Sequence, residues 1–227
     1  GIDAFIEHEL PYLRTKDATI LANVAGSTVE DCITIAQKLE GTAVDMIELN
    51  ISCPNVKEGG AAFGSTPQMA AAVTKAVRGA TSKPLMVKLS PNVTDIVAIA
   101  KAVEAEGADA VSLINTLLGM RIDINTRRPV LKNNTGGLSG PAIFPVAVRM
   151  VWQVANAVNI PVVGMGGIAS GKDAIEMMMA GASAVQVGAA IFADPYAPVK
   201  IVDEMNAWLD DKGIASVKEI VGTVQPW

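Results

Sequence analysis

Two textures of hydrophobic and polar residues alternate along this chain. Short, almost wholly apolar runs rich in β-branched residues end in Gly, Asn or Ser, and each leads into a longer segment of helical period. The runs are TILANVAG (19–26), DMIELNIS (45–52), PLMVKLS (84–90), DAVSLIN (109–115), PVVGMGG (161–167) and AVQVGAA (184–190). A strand that is apolar on both faces is buried on both, as in a parallel sheet covered by helices. The segments between carry helix starts: Ser27 or Thr28 before VEDCITIAQKLE, Thr66-Pro67 before QMAAAVTKAVRGA, and Pro91-Asn92 before VTDIVAIAKAVEAEG. Gly107 and Gly181 close their helices, each followed by Ala and then the next strand. The pattern predicts a βαβα chain, with a leading helix at IDAFIEHELPYLR.

Six such units fit either an open doubly wound sheet or the last six units of a (βα)₈ barrel. A dinucleotide-binding open sheet would place G-x-G-x-x-G after its first strand, and NVAGSTVED does not supply it. GMGGIASG comes close, but follows the fifth strand. A barrel usually needs about 250 residues, and this chain of 227 starts on a helix. The fold predicted is therefore a TIM barrel in one domain, residues 1–227, with about six of its eight βα units present, starting from the second helix.

Barrel chemistry gathers at the C-terminal ends of the strands. Those ends supply Asn23, then Asn50, Ser52, Cys53 and Asn55, then Lys88 and Ser90, then Asn115 and Thr116, then Gly166-Gly167, then Gly188. A single strand-end Asn is usually a cap or turn residue, and a single Lys can snorkel to solvent. Asn, Asn, Lys and Asn on four successive strands point instead to a polar ligand, because buried amides and ammonium groups are costly without one. If two strands precede this chain, the two glycine clusters follow strands seven and eight, where barrels often bind phosphate through backbone N–H groups.

Composition narrows the chemistry. The net charge of −5 argues against a nucleic-acid footprint. No apolar run reaches the roughly 20 residues of a membrane span, and no basic-then-apolar leader opens the sequence. Two cysteines make neither a disulfide framework nor a metal site, and a cytoplasmic setting is expected. Cys32, inside VEDCITIAQKLE, reads as a helix-core thiol. Cys53 stands where a strand ends, and a thiolate can abstract a proton or attack a carbonyl. His8, the only histidine, lies on the leading helix, so a Cys–His pair is not expected.

ELNISCPNVKEGGAAFG, MVKLSPNV, SLINT, GGLSGPAI and VVGMGGI together resemble class 1 dihydroorotate dehydrogenases, most of all the class 1B catalytic subunit, and the similarity runs from Gly1 to Trp227. The resemblance implies an FMN-binding (βα)₈ barrel whose N-terminal region, absent here, supplies the first two units, a flavin-contacting lysine and a substrate loop. It implies that Cys53 is the base taking a proton from C5 of dihydroorotate as hydride leaves C6 for the flavin, and that Lys88 places a cation at the flavin pyrimidine edge. Asn23, Asn50, Lys88, Ile114, Gly140, Gly166, Gly167, Gly188 and Ala189 match FMN-binding positions; at Ala189 a threonine is usual. Asn50, Asn55, Asn115 and Thr116 match substrate-binding ones. The segment 115–140 matches an excursion that covers the site. The implied partner is an electron-transfer subunit carrying FAD and [2Fe–2S] and passing electrons to NAD, with the catalytic subunits a homodimer within a heterotetramer. Direct reoxidation by fumarate is the class 1A alternative. A dihydropyrimidine dehydrogenase-like reductase of uracil or thymine, and a non-catalytic barrel fragment, are the rival readings. Missing two units, the chain is expected to leave unpaired sheet edges.

Overall fold

The structure, a computed structural model, describes residues 1–53 and 62–227. Six strands form one all-parallel sheet: β1 (Leu21–Val24), β2 (Met46–Asn50), β3 (Leu85–Lys88), β4 (Ala110–Leu113), β9 (Val162–Met165) and β10 (Ala184–Gln186), side by side in that order. They are the six expected from the apolar runs, each shorter by a few residues at its ends. Between them run α3 (Val29–Glu40), α4 (Pro67–Arg78), α5 (Ile96–Ala105), α6 (Phe144–Ala155) and α7 (Gly171–Met179), with α8 (Ala190–Ala193) and α9 (Ala197–Lys212) after β10. Consecutive helices pack on one another as an outer layer.

The sheet is curled. In a flat sheet β2 and β10, four steps apart, would stand about 19 Å from each other. Yet Gln186 Nε2 on β10 donates to Glu48 Oε1 on β2 at 3.0 Å. Only a sheet rolled toward a barrel brings those side chains together. Among the described residues β1 and β10 do not pair with each other, so the barrel is open on one side.

Helices α3 to α7 each bury an apolar stripe against the outside of the sheet. Leu39 of α3, Val73 and Val77 of α4, Val103 of α5, Val151 and Val154 of α6 and Met177 of α7 are fully buried in one continuous core. Replacing any of the larger ones with Ala would cost about 2–5 kcal/mol. Thr28 caps α3 in a capping box with Asp31, and Thr66 caps α4 ahead of Pro67. Cys32 is a core thiol as expected, 1% exposed. Its Sγ lies so close to Gly26 that a Cβ there would approach it to 2.7 Å, and burial pushes the thiol's pKa up.

Three local expectations change. Helix α5 begins at Ile96 with Asp95 as its cap, not after Asn92, because the Asp95 carboxylate receives the Ala98 N–H. The last strand stops at Gln186, and Gly188 lies in the turn toward α8. The leading helix is three pieces, α1 (Ile2–Ala4), a π turn (Phe5–Glu9) and α2 (Leu10–Arg14). Pro11 has no N–H to return to the preceding turn, and Leu10 N–H reaches back to Phe5 O instead.

The N-terminal face of the sheet is held by carboxylates that receive backbone N–H groups where strands enter. Asp45 takes Ile20 N–H, Asp109 takes Leu85 N–H, and Glu104 takes those of Asn159 and Ile160. Glu40, at the end of α3, accepts from the Thr81 and Ser82 hydroxyls and from Ser82 N–H. Those bonds, the Ser82 hydroxyl foremost, pull its pKa down to about 2. A lowered folded pKa means that the clamp's contribution is complete above the ordinary value of 4.5 and is lost as pH falls from there toward 2. Glu40→Gln should therefore be less stable than wild type at pH 7, with the two curves converging below pH 4.5. Urea unfolding at a series of pH values checks this; parallel curves for the two proteins would refute it.

Candidate active site

At the other face, the C-terminal ends of the strands, lies a cleft of about 180 Å³. Lys88 ends β3. Ile114, Asn115 and Thr116 follow β4, Gly166 and Gly167 follow β9, and Gly188 and Ala189 follow β10; all line the cleft, as does Gly140. An adjoining hollow of about 270 Å³ shares Gly140, Gly167 and Ala189 and extends toward Lys200. Residues picked from widely spaced parts of the chain thus meet in one place.

The glycines are there for close approach. Gly167 has φ +80°, and a Cβ on it would come within 2.7 Å of Gly140 O and 3.0 Å of Phe144 N. Gly140 itself has φ +87°, a conformation that L side chains rarely adopt. A Cβ on Gly188 would meet nothing within 4 Å and would project into open space. Bare backbone therefore borders the cleft on two sides, and Lys88 supplies a cation. Among the described residues no carboxylate lies within 4.0 Å of the Lys88 ammonium. Bare backbone and a cation together suit an anionic ligand such as a phosphate.

The strand-end asparagines are joined to one another. Asn50 Nδ2 donates to Asn23 Oδ1 at 3.3 Å, and Asn50 Oδ1 accepts Ser52 N–H at 3.2 Å and Ser52 Oγ–H at 2.8 Å. Asn115 Nδ2 donates to Ser52 Oγ at 2.8 Å, and Asn115 Oδ1 accepts Thr116 N–H at 2.7 Å. Asn23 and Asn50 do not line the cleft themselves; they reach it through Ser52 and Asn115. Asn23 instead borders a hollow beside the open edge, with Ile2 and Phe5. Half-buried Cys53 follows Ser52 directly. Asn55 lies outside the described residues.

The excursion after β4 carries two small antiparallel ladders that the sequence reading lacked: β5 (Leu117–Gly119) with β8 (Gly136–Leu138), and β6 (Ile122–Asp123) with β7 (Arg128–Pro129). Gly137 of β8 packs against Thr116, where a Cβ would overlap the hydroxyl. Asn92 steadies the same residue: its Nδ2 donates to Thr116 O at 3.0 Å and its Oδ1 accepts Leu118 N–H at 2.8 Å.

One site residue had no place in the sequence reading. Glu48, in the middle of β2 and 5% exposed, points into the barrel interior and accepts from Asn23 Nδ2, Ser112 Oγ and Gln186 Nε2. The signal was present, since a glutamate two residues before Asn50 interrupts an otherwise apolar strand. His8 is exposed, beside Glu7, and no metal-binding group of His, Cys, Asp or Glu forms among the described residues. No helix there is long and apolar enough to cross a membrane.

Comparison with known proteins agrees with this geometry. The family model described as dihydroorotate dehydrogenase matches residues 1–209. The dihydroorotate dehydrogenase B (NAD(+)) catalytic subunit of Geobacter metallireducens is 58% identical over 99% of this chain and 74% of its own length. That of Geobacillus kaustophilus is 53% identical over 98% and 71%. A crystal structure of an Eimeria tenella DHODH in complex with ferulenol superposes with a TM-score of 0.80 at 22% identity, over 98% of this chain and 68% of that one, and shows the same fold. With the family model matching nearly its whole length and close relatives throughout, the chain belongs to the dihydroorotate dehydrogenase family of flavin-dependent oxidoreductases.

Proposed function

We propose that the chain oxidises dihydroorotate to orotate in pyrimidine biosynthesis, with FMN held in the cleft at the C-terminal face. The observation that carries the reading is the convergence there of Lys88, Asn115 and Thr116 with Gly140, Gly166, Gly167, Gly188 and Ala189 from separate stretches of the chain. FMN, when bound, supplies the hydride acceptor. Backbone N–H groups of Gly166, Gly167, Gly188 and Ala189 hold its phosphate. Ala189 offers no hydroxyl, so the phosphate relies on the main chain at that point. Lys88 would set a positive charge beside the ring, with Ile114 in the same cleft and Asn23 and Asn50 acting on the flavin through their link by Ser52 to Asn115. Asn50, Asn55, Asn115 and Thr116 hold the substrate. Cys53 takes the proton from C5 while the C6–H electron pair leaves as hydride, so that the C5–C6 bond becomes double.

Residues 1–227 form a single FMN-binding barrel domain in this reading, supported by a main hydrophobic core that runs from Leu10 to Ile201, with a smaller cluster of Ile175, Met178 and Ile220 beside it. The relatives' name, catalytic subunit with NAD(+), supports an electron-transfer partner carrying FAD and [2Fe–2S], and a homodimer of catalytic subunits within a heterotetramer. Two free thiols fit a reducing, cytoplasmic setting.

Titration with FMN tests the reading. Flavin fluorescence is expected to be quenched on binding, and orotate, but not uracil, to shift the bound flavin's absorbance band. A chain that binds no flavin refutes it, and a band moved by uracil alone places the chain with the pyrimidine reductases.

A further inference from the structure

The buried Glu48 has no role in the chemistry above, and stability does not account for it. Its carboxylate is satisfied by neutral donors from three other strands: Asn23 Nδ2 at 2.5 Å, Ser112 Oγ at 2.7 Å and Gln186 Nε2 at 3.0 Å. Among the described residues no basic side chain comes within 4.0 Å of it. Burying a carboxylate without a cation is costly, and well-packed apolar residues of the same volume often serve stability as well or better.

What the carboxylate does is give direction to a chain of side chains. An amide can face either way, a hydroxyl can turn, but a carboxylate only accepts and a backbone N–H only donates. Starting at Thr116 N–H, every hydrogen bond runs the same way: to Asn115 Oδ1, from Asn115 Nδ2 to Ser52 Oγ, from Ser52 Oγ to Asn50 Oδ1, from Asn50 Nδ2 to Asn23 Oδ1, and from Asn23 Nδ2 to Glu48. Both ends are fixed in sense, by a backbone donor and by Glu48, and Ser52 N–H fixes Asn50 between them. Bonds aligned head to tail polarise and strengthen one another.

We propose that Glu48 is a positioning residue that holds the Asn23 amide, the one amide of the chain that no backbone N–H orients, and so decides which of its groups faces a ligand. Each NH₂ engages one hydrogen in the chain and keeps its second for a ligand. The consequence for binding rests on the function proposed above; the orientation itself does not. Ser112 and Gln186 are different from Asn23, because the Ser112 hydroxyl can turn to accept and the Gln186 amide can turn over without disturbing the chain. Asn23 is the one amide of the chain oriented through Glu48, since the N–H groups of Ser52 and Thr116 already hold Asn50 and Asn115.

That difference gives the test. Glu48→Met fills the same volume but accepts nothing, whereas Glu48→Gln keeps one oxygen that can face Asn23 while its NH₂ faces a reoriented Ser112 or Gln186. Glu48→Met is expected to weaken FMN binding about tenfold, the equivalent of about 1.4 kcal/mol, and to speed hydrogen exchange at the Asn23 side-chain amide in NMR spectra. Glu48→Gln should stay within about threefold of wild type, as should Ser112→Ala, which removes a donor but leaves Asn23 bonded. Unchanged amide exchange and affinity in Glu48→Met would overturn the proposal, and so would a Glu48→Gln as impaired as the Met variant. Should Glu48→Met not fold, the wild-type chain decides: slowly exchanging Asn23 amide protons support the proposal and solvent-rate exchange refutes it. A wild type that binds no FMN yet protects that amide refutes the proposed function and leaves the orientation standing.

Discussion

Cys53→Ser is expected to bind FMN as wild type does and to oxidise dihydroorotate about a hundredfold to ten-thousandfold more slowly at neutral pH, the range that a positioned general base contributes. A thiol ordinarily titrates near about 8.5, whereas an alcohol remains protonated far above that and is a poor base at pH 7. Cys53 is half-buried at the end of β2, one residue beyond the Ser52 that links Asn50 to Asn115. The exchange of sulfur for oxygen there changes little in size, so flavin affinity serves as the control. Cys32→Ser provides a second one: that thiol is packed under Gly26 inside the core, remote in role from the strand ends. Stopped-flow bleaching of the flavin by dihydroorotate reads the step directly. An unchanged bleaching rate in Cys53→Ser would remove this residue from the mechanism.

The second large effect concerns the electrons after that step. With dihydroorotate and NAD present, the FMN-loaded chain alone should bleach its flavin once and form negligible NADH. Addition of a subunit carrying FAD and [2Fe–2S] should then start sustained NADH formation. The sequence explains why. An iron–sulfur cluster usually takes four cysteine ligands, and this chain has only Cys32 and Cys53. No G-x-G-x-x-G follows a first strand to make a separate dinucleotide site. Brisk NADH production without the partner would refute the scheme, and turnover supported by fumarate in its place would show an external small acceptor.

The parallel strands were readable because a strand buried on both faces must be apolar nearly throughout, and PLMVKLS or DAVSLIN hardly admits another structure. The same reading located the cleft, since Lys88, Asn115 and Gly166-Gly167 stand where those runs stop. Two things were hidden. The ladders of β5–β8 are two or three residues long, too short for any alternation to register, and depend on Gly137 packing on Thr116. Glu48 was hidden for a different reason: its partners Asn23, Ser112 and Gln186 lie 25, 64 and 138 residues away, and only the curl of the sheet brings them together. The strand-end asparagines were read as facing a ligand, and their bonding to one another likewise needed three dimensions to be seen.

The open sheet divides the site by how readily its parts breathe. Strands β2, β3, β4 and β9 have a hydrogen-bonded neighbour on either side, whereas β1 and β10 have one each among the described residues. Strands bonded on both sides release their amide protons only in the largest unfolding events, and edges open in small local ones. On these six strands taken alone, Asn50, Lys88 and Ile114 hang from the interior and Asn23 and Gln186 from the margins. Glu48 grips both margins from an interior strand. A ligand that touches the two halves together would quiet both edges at once, and ordering those edges is part of what its affinity must offset.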